Sequence, residues 1–512
     1  PAAAGGCATW PRAFREGLKA VSLNDSQREA IWSAATATRG LRLIQGPPGT
    51  GKTHTVLGLI GALLARTPPA PPPTGRLATP IEGGKTLPSL TPPVREPTRI
   101  LLVTPSNCAI DELVSRLLGQ RVVGPDGKKV APAVVRVGPQ DRLVSPNSQA
   151  SLRVHLDEVV RKRLAAAADA RGQPERRKAA EKAALEGAQV IATTLVGAGV
   201  DTLLRLTRRK AAEGSASGAR GAPFFDAIIV DEATQACELS MLVTLQHDAR
   251  LLVLVGDHKQ LPPTILSSAA DKLGLGRSLF ERLLLCGHQR NLLRVQYRMH
   301  PAIAAFSSAH FYDAEISDGV CTANRPPPAA FPWPRADFPV ALVQVEGFEQ
   351  TDGEGGRGSK MNEAEAHAVR LVLDALLNGR GGGARLRPSE VGIVTPYKAQ
   401  ERLLLNTLQG ADDGGDGAPS SAEVATIDSF QGREKEVIIL SCVRANVWGH
   451  LGFLADRRRM NVALTRARRG LVVLGHPPTL NLNGTVWSTF CEWAGTEGVV
   501  LPIAAVRAAV DG

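Results

Sequence analysis

The sequence predicts an α/β fold built as two tandem domains, each around a parallel sheet. Length is the first reason: at 512 residues the chain is too long for one core, because single cores stop growing near ~250–300 residues. The second is a double series of short apolar runs, separated by stretches of helical character. Alternation of apolar and polar residues marks a strand with one wet face. An unbroken apolar run marks a strand buried on both faces, as in parallel sheets covered by helices.

The first series runs LRLIQG (41–46), RILLVTPSN (99–107), QVIATTL (189–195), AIIVDEA (227–233) and LLVLVGD (251–257). The second runs VALVQVE (340–346), VGIVTPY (391–397), EVATID (423–428), VIILSCV (437–443) and LVVLG (471–475). The boundary is expected between residues 265 and 291, with 21–275 in domain one and 276–480 in domain two. Residues 1–20 read as an N-terminal remnant and 481–512 as a C-terminal tail. Four stretches read as insertions or loops. Residues 66–98 are proline-rich (RTPPAPPPTG, PSLTPP), which favours extended chain. An insertion over about 120–187 is Ala-, Arg- and Glu-rich from 151 onward, consistent with exposed helices, while 207–222 and 409–422 are small, polar loops.

Composition narrows the class. The hydrophobic fraction is 43%, and runs such as AIIV fall far short of the ~20 residues of a membrane helix. The chain opens on Pro1 without a charged-then-apolar leader, which reads as a fragment and gives secretion no support. Seven cysteines are scattered without a CxxC pair, arguing against a disulfide framework or a zinc site; Cys108, Cys237 and Cys442 adjoin apolar segments and read as reduced thiols. The net charge of +11 favours a polyanionic partner.

In open parallel sheets, ligands bind beyond the carboxyl ends of the strands. Here those ends read QGPPGTGKT, TPSN, DEAT and GDHKQ. Gly46, Pro47, Pro48, Gly49, Thr50, Gly51, Lys52 and Thr53 fit the phosphate-loop pattern between an apolar strand and the helix-like THTVLGLIGALLA. Backbone NH groups of such a loop cradle phosphates, the lysine reaches the β and γ oxygens, and the hydroxyl of Thr53 serves a magnesium ion. A nucleoside triphosphate and Mg2+ are therefore the expected cofactors, against the plainer reading of a Gly-rich turn. Asp231 and Glu232 end the strand AIIV, where Asp231 is expected on the magnesium side and Glu232 on the attacking water. An acidic pair satisfying a helix dipole is the alternative. Gln260, stiffened by Leu261, Pro262 and Pro263, would face the γ-phosphate or the water, unless it only caps its loop.

These segments, with LNDSQREAI (23–31), TPSNCAIDELVSRL, DEATQACE, GDHKQLPPT, QYRMHP (296–301), TPYKAQ, TIDSFQGREKEVIILSCVRA and LGFLADRRRMNVALTRARRG, follow the motif order of superfamily 1B helicases. From about residue 20 to 478 the chain resembles the branch of that family containing senataxin and the up-frameshift helicases. The resemblance implies two RecA-like phosphate-loop domains with ATP in the cleft between them. It implies that Gln27 reads the adenine, that Tyr297 stacks on or contacts the nucleotide, and that Glu434 touches the ribose or nearby atoms. Arg298 and Arg466 would reach the γ-phosphate, where an arginine supplied on closure stabilises transition-state charge; each is otherwise a surface arginine among many. On the same resemblance Thr104, Pro105, Ser106, Asn107, Thr193, Thr194, Pro396, Tyr397 and Thr426 would hold a nucleic-acid backbone without reading sequence. Ile110, Leu113, Val114 and Leu117 have helical spacing and read as core. Aromatics make up 4% of residues, so a backbone-tracking groove is expected rather than extensive base stacking.

Basic clusters at 161–163, 176–178 and 205–210 read as solvated helix ahead of nucleic-acid contacts or import signals. SKMNEAEA (359–366) matches a family motif in which Asn362 and Glu365 are either functional or structural. The family's β-barrel subdomain ahead of the SQ motif has no counterpart in the roughly twenty residues available, which puts unwinding efficiency in doubt and leaves the ATP site intact. The implied activity is an ATP-dependent 5′-to-3′ helicase or translocase on single-stranded RNA or RNA–DNA hybrids. The alternatives are a DNA helicase and an ATP-gated clamp that does not unwind. The resemblance allows nucleus or cytoplasm and favours the nucleus.

Overall fold

The computed structural model describes residues 16, 22–66, 98–124, 126–139, 148–166, 174–213, 223–353, 358–378, 385–409, 422–482 and 484–511. Most of the proline-rich segment and of the 409–422 loop lies outside the described residues. The described chain forms two compact units. The first takes residues up to Gln45, then Lys52–Gly256 and Pro263–Leu292; the second takes Gly46–Gly51, Asp257–Pro262 and everything from Leu293.

The first unit contains α1 (Asp25–Thr36), β1 (Gly40–Gln45), α2 (Lys52–Ala65), β2 (Ile100–Thr104), α3 (Asn107–Gln120), β3 (Val134–Arg136), β4 (Val190–Thr194), β5 (Phe225–Val230), β6 (Ala249–Gly256) and β7 (Arg290–Leu292). They make a seven-stranded sheet in the order β3-β4-β2-β5-β6-β1-β7, parallel throughout. All five residues of β2 are buried, as two-sided covering demands. A short antiparallel pair, Val122–Val123 with Lys129–Val130, and the helices Leu156–Ala166 and Pro174–Glu186 intervene between α3 and β4. A buried ion pair ties β3 to α3: Arg136 Nε donates to Asp111 Oδ1 at 3.0 Å and Arg136 Nη2 to Asn107 Oδ1 at 2.8 Å.

The second unit contains α4 (Pro301–Phe311), β8 (Val340–Gln344), α5 (Glu363–Asn378), β9 (Val391–Thr395), α6 (Lys398–Gln409), β10 (Glu423–Thr426), β11 (Lys435–Ser441), α7 (Arg457–Leu464), β12 (Ala467–Gly475), α8 (Val486–Thr496), β13 (Val500–Pro502) and α9 (Ile503–Asp511). Its sheet runs β10-β9-β11-β12-β8-β13, again parallel. The pleat divides each apolar run between two cores. Ile438, Leu440, Leu471 and Val473 join Phe306, Met460, Trp487 and Phe490 on one face. Val437, Ile439, Val472 and Leu474 join Val369, Val372, Leu404 and Val506 on the other.

All ten apolar runs are strands of these two sheets, and the fold is α/β with two parallel-sheet domains. The strands that the runs did not mark, β3, β7 and β13, are three residues each and read VVR, RNL and VLP, too short and too polar to stand out. Two of them shift the expected limits. Pairing of β7 with β1 carries the first unit to Leu292, past residue 275, and β13 with α8 and α9 packs residues expected as a tail onto the second sheet. The helix Asp201–Glu213 likewise continues through 207–213, where a loop was expected. The six described cysteines are free thiols; Cys442 is buried, but Cys108 is exposed rather than packed.

The SKMNEAEA motif has a clear structural task. Val443 follows β11 with φ +71°, a costly conformation for a β-branched residue. Glu365 Oε2 accepts from Val443 N at 2.7 Å and from Ser441 Oγ at 2.6 Å, while Asn362 Nδ2 donates to Val443 O at 3.2 Å. The strained residue is thus held from both sides. Glu365 is fully buried and its Oε1 has no hydrogen-bond partner among the described residues. Burial pushes its carboxyl up to about 7 from 4.5, against the two bonds that favour the charge. Because the folded value is the higher one, the protonated acid stabilises the fold below 4.5, and that stability is lost as pH rises through about 7. Glu365→Gln is expected to remove this slope, changing the pH-dependent part of unfolding free energy by about 3 kcal/mol. Urea unfolding of both proteins at pH 5 and pH 8 measures it; parallel pH profiles would refute the assignment.

Candidate functional site

In the segment Gly46–Gly51, Gly49 (φ +73°) and Gly51 (φ +80°) occupy the left-handed region that disfavours side chains. Thr50 Oγ1 and Thr50 N both donate to Pro47 O, at 2.7 and 3.3 Å, closing the turn. A Cβ on Gly49 would come within 2.7 Å of Arg298 Cβ, and Gly49 O accepts from Tyr297 N at 2.9 Å, so the loop needs glycine for contact as well as for φ. Lys52 and Thr53 open α2, whose first-turn NH groups and dipole favour an anion.

In the first unit, β5 ends at Asp231 and Glu232. Asp231 N donates to Val103 O at 2.9 Å, which fixes the carboxylate at the end of the sheet. The side chain is buried, and Oδ1 has no hydrogen-bond partner among the described residues. Burial and then the charge of Glu232 push its pKa up to about 7, while the Lys52 ammonium opposes them. A buried carboxylate oxygen left without a donor, in the field of the phosphate-loop lysine, is the oxygen ligand that a hard dication or its water shell requires. Glu232 sits at φ +52°, a strained position for a non-glycine residue, with Oε2 accepting from Gln235 Nε2 at 2.8 Å. At the end of β6 a Cβ on Gly256 would meet Thr234 at 3.0 Å, so glycine lets that strand end approach the DEAT turn.

In the second unit, the segment Asp257–Pro262 is held by a buried polar network. Gln260 Nε2 donates to Asp257 Oδ2 at 2.8 Å, and Tyr312 OH donates to the same oxygen at 2.6 Å. Asn461 Nδ2 donates to Tyr312 OH at 2.7 Å and to Lys259 O at 2.8 Å, while its Oδ1 accepts from Ser307 Oγ at 2.7 Å. Arg466 Nη2 donates to Gln260 Oε1 at 3.1 Å, and its Nε donates to Val462 O at 3.0 Å. Burial and the Asp257 charge drive the Tyr312 phenol well above its ordinary range, so it remains a donor. Arg298 Nε pairs with Glu434 Oε2 at 2.6 Å, and its Nη1 donates to Thr465 O at 3.0 Å. Burial would raise the Glu434 carboxyl, but the charges of Arg298, Arg468 and Arg466 hold it below the usual range.

Gln260 and Arg466, both singled out in the sequence, are therefore bonded to one another, and Arg298 is bonded to Glu434. Tyr297 is partly exposed. Gln27, in the first unit, is buried in the capping box that starts α1, where its Oε1 accepts from Asn24 N at 3.0 Å and its N donates to Asn24 Oδ1 at 2.9 Å. Asp257, Tyr312 and Asn461 were not anticipated. Asp257 and Asn461 fall within quoted motifs, and Tyr312 is one of only three tyrosines, at the end of an apolar helix where a buried hydroxyl must find a partner.

The residues expected to hold a nucleic acid lie at strand carboxyl ends. Ser106 is exposed and caps α3, while Pro105, Asn107, Thr194 and Pro396 are half-buried. Thr104, Thr193, Tyr397 and Thr426 are buried. Thr104 Oγ1 donates to Ser106 O at 2.8 Å, Thr194 Oγ1 accepts from Gly197 N at 3.0 Å, and Thr426 Oγ1 bonds to Ser429 Oγ at 2.9 Å. These hydroxyls shape their own loops. Among the described residues the Thr193 hydroxyl has no hydrogen-bond partner, and neither has that of Thr395 at the end of β9.

Tyr312→Phe is expected to cost about 1–3 kcal/mol, because Asp257 loses a donor and Asn461 an acceptor inside a buried network. Asn461→Ala should cost a similar amount, and the double variant clearly less than the sum. Denaturant unfolding of the four proteins forms the cycle; strict additivity would mean that the two side chains act independently.

An AAA-domain family matches residues 22–173 and 170–268, and a further AAA-domain family matches 275–478. The chain is 34% identical over 471 residues, 90% of its length, to the Regulator of nonsense transcripts 1 homolog of Drosophila melanogaster, covering 35% of that protein. It is 35% identical over 478 residues to the ATP-dependent helicase NAM7 of Saccharomyces cerevisiae, covering 91% of this chain and 43% of that one. With the Probable helicase MAGATAMA 3 of Arabidopsis thaliana it shares 32% identity over 522 residues, covering 92% and 60%. The chain thus spans between about a third and three-fifths of the length of these curated relatives.

Proposed function

Because the chain belongs to the superfamily 1B helicase family that includes the regulators of nonsense transcripts, we propose that it is an ATP-dependent motor that moves along single-stranded RNA. The observation that carries the reading is the buried Asp231, with one carboxylate oxygen unpartnered in the field of Lys52. Gly46–Gly51 and Lys52 hold the triphosphate. Asp231 and Thr53 would hold a magnesium ion, which would supply positive charge to the triphosphate. Glu232 orients the attacking water, with Gln235 fixing one of its oxygens. Gln260 faces the γ-phosphate, and Arg466, already bonded to Gln260, adds positive charge where the transition state gathers negative charge. Arg298 does the same from its place beside Glu434.

Tyr297, partly exposed, stacks on the nucleotide, and Gln27 reads the adenine with whatever bonding capacity its capping role leaves. The strand-end hydroxyl and amide groups grip the nucleic-acid backbone without regard to sequence. RNA as the track is supported by the relatives named for nonsense transcripts; the 5′-to-3′ direction and action on RNA–DNA hybrids rest on the family resemblance.

ATP hydrolysis measured without nucleic acid, with single-stranded RNA and with single-stranded DNA of equal length tests the reading. RNA is expected to stimulate hydrolysis strongly, Glu232→Gln to abolish it, and Arg466→Ala to lower it by about 10³–10⁵-fold. Equal stimulation by DNA would remove the RNA preference. The same rate in all three conditions would exclude a nucleic-acid motor, and stimulated hydrolysis that displaces no roadblock from a single strand would mark a clamp.

A further inference from the structure

Five aromatic side chains among the described residues are substantially exposed, and three of them, Phe348, Trp448 and Phe453, lie on two neighbouring loops of the second unit. The exposures are 83%, 71% and 56%, in a chain with few aromatics to spend. The loops that carry them are firmly built. Glu349, next to Phe348, accepts from Arg444 Nε at 2.8 Å, Arg444 Nη2 at 3.0 Å, Ala445 N at 3.0 Å and Asn446 Nδ2 at 2.9 Å. This knot joins the Phe348 loop to the segment leading into Trp448. Gly347 packs so closely on α5 that a Cβ there would stand 2.6 Å from Ala364 Cβ. Beyond Trp448, Gly449 (φ +65°) would put a Cβ 2.8 Å from Leu482 Cβ. Asn446 and His450 close the tip with two bonds, Asn446 Nδ2 to His450 O at 3.0 Å and His450 N to Asn446 Oδ1 at 2.9 Å. The backbone is pinned while the rings stand in water.

Planar surfaces and cations alternate here. The Trp448 and His450 rings lie 6.3 Å apart at 26°, near parallel. Phe453 lies 5.6 Å from Tyr397, under the Arg459 guanidinium at 5.2 Å, which is itself paired with Asp428 at 3.0 Å and Asp456 at 3.2 Å; Lys398 is exposed next to Tyr397. Of the other exposed large apolar residues, Val447 adjoins Trp448 on the same loop, and Leu239, Leu242 and Leu245 share the helix Glu238–Leu245 without an aromatic among them. A purely apolar partner has no use for the cations, and a phosphate backbone alone has no use for the rings. A nucleobase with its phosphate uses both.

We propose that Phe348, Trp448 and Phe453 form a base-stacking platform for single-stranded nucleic acid, contiguous with the Pro396–Tyr397 strand end. The inference rests on the motor reading and adds to it a mode of recognition that composition argued against. Stacking is tolerant of sequence, because every base has a π face, so the platform contributes grip without base readout.

The test is fluorescence anisotropy of the full chain with a labelled single-stranded RNA 12-mer and with an oligomer of equal length and charge whose central residues are abasic. The wild type is expected to bind the base-bearing strand about 5- to 150-fold more tightly than the abasic one. Trp448→Ala and Phe348→Ala should lose most of that difference while binding the abasic strand as the wild type does, and Trp448→Phe should keep most of it. Unchanged preference in both alanine variants would overturn the platform and leave these rings to a protein partner. Equal weakening on both strands would also overturn it, since a stacking role cannot lower affinity where no base is present. If the wild type binds neither strand and neither stimulates hydrolysis, the motor reading falls and the platform with it.

Discussion

A strand that is apolar on both faces has only its ends left for polar chemistry. Strands such as β2, β9 and β11 of the described residues meet that condition, and the parallel arrangement points each set of carboxyl ends in one direction. Everything of chemical interest follows from this constraint. The phosphate loop, Asp231, Gln260, the TPSN and TPYK segments and Arg444 all stand just beyond the last residue of a strand. The helices that cover the sheets take up the remaining apolar surface, as the two separate cores of the second unit show.

The same constraint explains how much could be read from residues alone. Runs such as VIILS and LLVLV announce themselves because both of their faces are apolar, and their motifs follow at fixed offsets. The three-residue strands were invisible for the opposite reason: Arg290 and Arg136 in β7 and β3 break the pattern over a length where one polar residue is a third of the signal. Motif chemistry singled out Lys52, Asp231 and Gln260, and the family resemblance singled out Arg466. What they bond to was not legible. Tyr312 reaches Asp257 from 55 positions away, and Asn461 reaches Lys259 from 202, distances in sequence over which no spacing rule operates. The aromatic loops were hidden in a similar way, since a composition of 4% says nothing about where a few rings gather.

Strain and polarity are concentrated at the strand ends. Glu232 and Val443 both adopt positive φ directly after a strand, and each is restrained by a side chain that the motif itself supplies, Gln235 in one case and Glu365 with Asn362 in the other. Such positions cost of order 1–3 kcal/mol and persist only where neighbours over-determine them. At Val443 the consequence is directional. The clamp turns the chain out of the sheet so that Arg444 meets Glu349 and Tyr397, and that meeting in turn sets the Phe348 and Trp448 loops. SKMNEAEA therefore acts at a distance, as the support beneath a surface rather than as part of it.

Asp231 and Glu365 make an instructive pair. Both are buried carboxylates pushed up to about 7, and both keep one oxygen without a hydrogen-bond partner. A shifted pKa alone would rank them equally as functional candidates. Their surroundings separate them. Glu365 owes its shift to burial and spends its second oxygen on a serine hydroxyl and a strained backbone NH, with no cation among the causes of its shift. Asp231 feels the opposed charges of Glu232 and Lys52. A dication there would relieve the repulsion of the two carboxylates and the desolvation of the first at once, whereas at Glu365 a proton already does that work. What separates the two spare oxygens is the neighbouring charges, present at Asp231 and absent from the causes of the shift at Glu365, rather than the size of the shift.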